Sequence, residues 1–132
     1  MREKTRSWFE HARLDLAAAI YLVGDGRFGN IVAYHCQQCA EKSLKALLEE
    51  KSAAIPRSHS IIHLLQPVHE HYPAFTPGID ELELAVLDDI YTDSRYPGSK
   101  GMLPTGVPTH DEARQFIRLA ETLLGAAEKT VA

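Results

Sequence analysis

The chain has 132 residues, of which 45% are hydrophobic and 24% charged, and this length fits one domain with a single core. A net charge of -4 excludes a protein that coats nucleic acid through a broad basic surface, so any contact with nucleotide or RNA must be local. No apolar run reaches the roughly 18 residues needed to span a bilayer, and the N-terminus has no apolar signal core. We expect one domain over residues 1–132, located in the cytoplasm.

The hydrophobic period is helical along almost the whole chain, and no segment shows convincing two-residue alternation. A first amphipathic helix ends in the turn at Gly24. A second helix is predicted from about residue 29 to about residue 51. Ser58 or Ser60 can cap a short third helix, which stops ahead of Pro73.

A fourth helix is predicted to open at Thr76-Pro77, with a cap followed by a first-turn proline. Its apolar stripe is Ile79, Leu82, Val86 and Ile90. The acidic residues of this helix are expected to form a solvated surface; they are Asp80, Glu81, Glu83, Asp88 and Asp89.

The last part of the chain combines a long loop with a well-capped helix. Residues 93–108 are rich in Gly and Pro, and loops of this length tend to be functional or mobile. Thr109 and Glu112 form a capping box that starts the last helix. The predicted fold class is all-α, an up-and-down bundle of about five helices with a long loop before the last one.

The second helix carries more polar chemistry than packing requires. At about 100° per residue, one face holds Gln38, Glu41, Lys42, Lys45 and Glu49. Gln37 instead lies on an apolar flank, where an amide without a hydrogen-bond partner would cost roughly 1–3 kcal/mol. That partner can be protein, water or ligand. The alternative is an ordinary solvated face with an i,i+4 pair between Glu41 and Lys45.

Cys36 and Cys39 lie inside this helix. A redox CxxC pair belongs at a helix N-terminus after a strand, so we expect these two residues to be small, buried and apolar in character.

Asp15 falls on the inward stripe of the first helix. A buried carboxylate must be paired or neutralised, and its candidate partners are Arg95, His59 and Lys42. Such a pairing would make Asp15 an orienting residue for the same site. The alternative places Asp15 at the exposed edge of the stripe.

Four features occur in one order and spacing along the chain. They are Trp8, the segment Gln37–Lys45, the tripeptide Ser58-His59-Ser60, and Tyr91 followed by Arg95-Tyr96-Pro97-Gly98. Together they resemble the HEPN domain family (higher eukaryotes and prokaryotes nucleotide-binding), in its small stand-alone prokaryotic branch. The resemblance implies a helical bundle, usually a homodimer, often encoded beside a small nucleotidyltransferase in a toxin–antitoxin type module.

The resemblance also implies a groove that binds nucleotide or phosphate. Its predicted lining is Gln37, Gln38, Glu41, Lys42, Lys45, His59, Arg95 and Tyr96. Arg95 can bind a phosphate bidentately, the lysines add charge, and Tyr96 can stack on a base. This interpretation requires Arg95 to fold back over residues 38–45. The alternative is a salt bridge between Arg95 and the acidic fourth helix.

Active ribonucleases of the wider family carry an Arg followed by a His, in which the His moves a proton and the Arg steadies the phosphorane charge without a metal. Arg57 and His63 have five residues between them and match this spacing. They lie around the short third helix, however, whereas the family's pair belongs to a later helix near the dimer interface.

The preferred interpretation is therefore a nucleotide- or RNA-binding module that is the accessory partner of a small nucleotidyltransferase. The alternative is a metal-independent endoribonuclease. No cofactor is expected. His59 and His63 have the i,i+4 spacing that can hold zinc, but no carboxylate in a recognised ligand arrangement supports that pair.

Overall fold

The computed structural model describes residues 1–94 and 107–132, with the side chains of residues 90–94 left out of the description. These residues contain no β-strand. Their helices are α1 Glu3–Leu22, α2 Gly29–Glu50, α3 Ile61–His71, α4 Glu81–Ser94 and α5 His110–Val131. The all-α fold class is confirmed.

The centre of the bundle is α2. All four other helices pack against it, and α1 does so most extensively. Fourteen of its 22 residues are buried, and these include four polar residues as well as the apolar ones: Gln37, Glu41, Ser43 and Lys45. Cys36, Cys39, Ala40 and Ser43 are completely buried, which places this small-residue face inside the subunit's own core.

The boundary between α1 and α2 follows the predicted turn chemistry. The Asp25 carboxylate accepts a hydrogen bond from the Arg27 backbone N–H and caps a short 3₁₀ turn at Gly26–Phe28. Gly29 then opens α2, as predicted. A side chain there would meet the segment before α5, because a Cβ at Gly29 would lie 2.8 Å from the carbonyl oxygen of Pro108.

The start of α3 is capped twice. The Ser60 hydroxyl accepts from the His63 N–H, which confirms one of the two predicted caps. Asp88 of α4 also accepts from the backbone N–H groups of Ile61 and Ile62 and from the Ser60 hydroxyl. Asp88 was predicted to be part of a solvated acidic surface, but it joins α4 to α3. The helix ends at His71, ahead of Pro73 as predicted.

The predicted start of α4 was wrong. The helix begins at Glu81 and not at Thr76-Pro77. Gly78 has a φ of 76°, in the left-handed region that breaks a helix. The Asp80 carboxylate accepts from the Leu82 N–H and so provides the local cap.

The apolar stripe predicted for α4 was wrong at Leu82 and Val86. Leu82 is 75% exposed and Val86 37% exposed, whereas Leu84 and Leu87 are buried. Leu84 and Leu87 are the core positions of the helix, and Ile79, which precedes it, is half-buried against the core. The Ile90 side chain lies outside the described residues.

The predicted cap of α5 is confirmed. Thr109 and Glu112 form the reciprocal capping box. The inward residues of α5 are all buried: Ala113, Phe116, Ile117, Leu119, Ala120, Leu123, Leu124 and Ala127. Most of the long loop predicted before α5 lies outside the described residues. None of the helices that are described is long and apolar enough to cross a membrane.

Candidate functional site

The polar residues of α2 form a buried cluster with the segment before α3. Gln37 is completely buried, Glu41 is 3% exposed and Lys45 is 9% exposed. With Gln38 and His59 they make one hydrogen-bonded group, here called the polar cluster. The solvated-face alternative is therefore excluded for Glu41 and Lys45.

Glu41 is the centre of the polar cluster. Its carboxylate accepts from the Lys45 ammonium at 2.7 Å and from the Gln38 amide at 2.8 Å. The Nδ1 atom of His59 lies 3.1 Å from the same carboxylate. Three polar neighbours compensate the buried charge, as a carboxylate in the interior requires.

Gln37 connects the polar cluster to the backbone. Its amide nitrogen donates to the carbonyl oxygen of His59 at 2.6 Å, and its own oxygen accepts from Gln38 at 2.8 Å. The partner that the sequence required for this buried amide is thus protein. His59 is held through both its backbone and its ring, while its side chain remains 55% exposed.

A second polar group joins α1 to α2. The Asp15 carboxylate accepts from the Lys42 ammonium at 2.6 Å and lies 2.8 Å from the Nδ1 atom of His35. Of the three candidate partners of Asp15, Lys42 pairs with it. His59 instead lies against Glu41. His35 was missed, although its i,i+7 spacing from Lys42 puts both on one face of α2.

Two clefts border these groups. The first lies between α1 and α2 and has a volume of about 430 Å³; its lining is Lys4, Ser7, Trp8, His11, Lys42 and Glu49. The second lies between α4 and the start of α3 and has a volume of about 550 Å³; its described lining is Arg57, Ser58, His59, Ser60, Ile62, Ala85, Asp88 and Asp89. The polar cluster therefore has one exposed member, His59, at the border of the second cleft.

The model of the HEPN domain family matches residues 5–130 of the chain. The chain belongs to the HEPN domain family. Two solved structures are similar along almost the whole length. TT1696 from Thermus thermophilus is 27% identical with a TM-score of 0.74, over 98% of this chain and 99% of that one. ST0689, an archaeal HEPN homologue, is 28% identical with a TM-score of 0.69, over 100% of both chains. No curated protein matches the chain.

In this HEPN chain, the predicted groove residues divide into two sets. Those on α2 and before α3 lie together in the polar cluster or beside it. Arg95 and Tyr96 lie outside the described residues, and so does the predicted contact of Arg95 with residues 38–45. Arg57 and His63 are both exposed, but the second cleft brings Arg57 beside His59, and His63 is not among its described lining residues.

The two cysteines of the HEPN core are buried free thiols. Burial raises the pKa of both, that of Cys39 to about 12. They are therefore protonated near neutral pH, which agrees with the predicted packing role. Within the described parts of the chain, no three His, Cys, Asp or Glu side chains are grouped to hold a metal ion.

Proposed function

We propose that the protein is a nucleotide- or RNA-binding module, acting in the cytoplasm as the accessory partner of a small nucleotidyltransferase in a toxin–antitoxin type system. The membership in the HEPN family supports this proposal. So does the composition of the predicted site, which combines amides, cations and an imidazole on one side of α2. In this proposal the module is a homodimer.

The observation that carries the proposal is the way the polar cluster holds His59. Gln37 fixes the His59 backbone and Glu41 fixes its ring, while the side chain stays half exposed beside Arg57 in the second cleft. Held side chains lose less entropy when a ligand binds, which favours affinity. A polar cluster that only filled the core would not need an exposed member.

The members of the polar cluster have different roles in this proposal. Gln37, Glu41 and Lys45 are buried and act through His59, as positioning residues. Direct contact with the ligand belongs to His59 and to the guanidinium of Arg57, which suits phosphate. In this proposal Arg95 and Tyr96, which lie outside the described residues, add a second phosphate contact and a stacking surface.

Lys42 of α2 and Asp15 of α1 form the second polar group, outside the polar cluster. Their ion pair at 2.6 Å holds α1 against α2 and fixes the Lys42 ammonium at the border of the first cleft. In this proposal Lys42 contributes positive charge to the bound ligand, and Asp15 orients it.

The partner interaction requires exposed surface, and the described part of the chain has apolar side chains in two regions. Tyr21 is 88% and Leu14 is 67% exposed on α1, and Leu82 is 75% exposed on α4. Groups of exposed large apolar side chains often mark protein interfaces. We propose that the second subunit and the nucleotidyltransferase use these regions.

Binding of a short RNA in a gel-shift assay, alone and with the neighbouring gene product, tests the proposal. We expect His59→Ala, Arg57→Ala and Arg95→Ala to weaken binding, because each removes a ligand contact. Arg114→Ala is the control, since this exposed arginine lies on α5. A protein that binds no RNA or nucleotide under either condition, or variants indistinguishable from the control, would contradict the proposal.

A metal-independent endoribonuclease is the second candidate, favoured by the exposed Arg57 in a cleft. Incubation with RNA and a chelator would then produce cyclic phosphate ends. Loss of cleavage in His63→Ala would assign the proton transfer to His63, whereas loss in His59→Ala alone would assign it to the residue that shares the cleft with Arg57. Intact RNA in all reactions would reject this function.

A further inference from the structure

The first cleft, between α1 and α2, has a ligand-binding composition of its own. Its volume of about 430 Å³ falls in the range of small-molecule sites. It contains an indole, two ammonium groups, an imidazole, a hydroxyl and a carboxylate; these belong to Trp8, Lys4, Lys42, His11, Ser7 and Glu49. Only Lys42 is shared with the groove that the sequence predicted.

The spacing of these residues places them in two facing rows. Lys4, Trp8 and His11 follow i, i+4 and i+7 on α1, and Lys42 and Glu49 follow i and i+7 on α2. The cleft therefore has a flat aromatic ring in the middle of one wall and positive side chains on both walls.

Trp8 is held in place from the protein side. Its ring packs against the hydrophobic core, and the ammonium of Lys45 lies over it, 5.8 Å from the ring centroid. A cation at this distance is attracted to an indole face. Lys45 thus connects the polar cluster to the Trp8 ring, which lines the first cleft, and the ring is held before any ligand enters.

Two of the charged groups are also restrained. Asp15 holds the Lys42 ammonium at 2.6 Å, and a guanidinium nitrogen of Arg2 lies 3.7 Å from the Glu49 carboxylate. Lys4 and His11 are exposed on α1. A ligand with an aromatic ring and an anionic end therefore meets a fixed ring, a fixed carboxylate, a fixed ammonium and two adaptable side chains.

We propose that this cleft binds a nucleotide whose base carries an exocyclic amino group, either free or as one unit of an RNA strand. The base stacks on Trp8, and the phosphate contacts Lys4, His11 and Lys42. The Glu49 carboxylate accepts from the exocyclic amino group, as acidic side chains do with base edges. This inference rests on the proposed nucleotide-binding function and assigns a second, specific binding site to it.

The fluorescence of Trp8 measures occupancy of the cleft directly, because it is the only tryptophan in the chain. The intact protein, excited at the red edge of the indole band, is titrated with AMP, IMP, inorganic phosphate and a short oligoadenylate. We expect saturable quenching by AMP and about tenfold weaker binding of IMP, whose carbonyl repels Glu49. Phosphate alone is expected to leave the fluorescence unchanged. Quenching by oligoadenylate without AMP would identify the RNA strand as the source of the same chemistry.

Three variants separate the contacts. Lys4→Ala is expected to weaken AMP binding about tenfold while the protein stays folded by circular dichroism, since this side chain is exposed. Glu49→Gln is expected to reduce the preference for AMP over IMP. Lys129→Ala on α5, outside the first cleft, is the matched control for the loss of one positive charge.

The result that overturns the inference is distinct from failure of the proposed function. If RNA binds in the gel shift but neither AMP nor oligoadenylate changes Trp8 fluorescence, the cleft is not the site and the proposed function stands. Quenching that Lys4→Ala and Lys129→Ala alter equally would also overturn it. If no nucleotide or RNA binds in either assay, both proposals fail.

Discussion

The ion pair between Glu41 and Lys45 should contribute far more to stability than a surface pair of the same geometry. Its N–O distance is 2.7 Å, with side chains 4% and 11% exposed. The pair between Arg13 and Glu128 has a distance of 2.6 Å, but its side chains are 47% and 36% exposed. Burial is therefore the main difference between the two pairs.

The substitution Glu41→Gln keeps the size of the side chain and removes its charge. It leaves the Lys45 ammonium buried without a counterion, and breaking a buried pair from one side costs about 3–5 kcal/mol. Glu128→Gln should cost about 0–1 kcal/mol, because water solvates the remaining Arg13. Most folded domains have a free energy of unfolding of about 5–15 kcal/mol, so the loss in Glu41→Gln is a large fraction of the total.

Urea unfolding followed by circular dichroism measures both variants. With a slope of about 1–3 kcal/mol/M, Glu41→Gln should lower the midpoint by at least about 1 M, and Glu128→Gln should hardly move it. The double variant Glu41→Gln with Lys45→Met removes both charges and should recover much of the loss. Equal effects of Glu41→Gln and Glu128→Gln would refute the argument from burial.

Other parts of the molecule give three further predictions. Cys36 and Cys39 should resist a disulfide reagent at pH 8 in the folded protein and react once urea unfolds it, because burial raises the pKa of both thiols. Rapid labelling of the folded protein would contradict this prediction. Hydrogen bonds from Arg2 and Thr5 lower the pKa of Glu50 below 4.5, so the ionised Glu50 carboxylate stabilises the fold above that pH, and this stabilisation is lost as the pH falls through the lowered pKa. Glu50→Gln should therefore be less stable than the parent protein at pH 7 and equal to it at low pH. A difference in the free energy of unfolding that stayed constant with pH would refute the linkage. Gly29→Ala should lower the free energy of unfolding by about 1–3 kcal/mol through overpacking. Gly24→Ala is the control and should leave the urea midpoint nearly unchanged, because no atom lies within 4 Å of the new Cβ. Equal urea midpoints for the two variants would exclude the steric argument.

Four of the five helices could be predicted from the sequence because their ends carry local signals. The Ser60 cap, the Thr109 capping box and the turn before Gly29 each depend on residues close in the chain. For α4, two local signals competed, and Thr76 was a plausible cap. Asp80 provides the cap instead, since the left-handed backbone at Gly78 interrupts any helix begun earlier.

The candidate site was less accessible to sequence reasoning because its geometry depends on tertiary packing. The helical period of α2 predicted that Glu41 and Lys45 lie on one face, but it did not predict that other helices would bury this face. The partner of Gln37 is a backbone carbonyl, for which no side-chain pattern exists. Asp88 contacts the start of α3 from 26 to 28 residues away, and only the packing of α4 against α3 creates that contact.

The position of the polar cluster on the central helix determines how its function can be tested. Because α2 carries both the core and the buried members of the cluster, substitution of Glu41 changes stability and the placement of His59 together. Loss of binding in such a variant would not separate the two effects. Lys4 is exposed and lies outside the polar cluster, so its substitution removes a ligand contact at little cost to folding. His59→Ala also removes one of the three polar neighbours of the buried Glu41 carboxylate, so its effect on folding must be measured together with its effect on binding. An effect of His59→Ala on RNA binding, with an unchanged urea midpoint, would therefore identify a ligand contact and not a damaged fold.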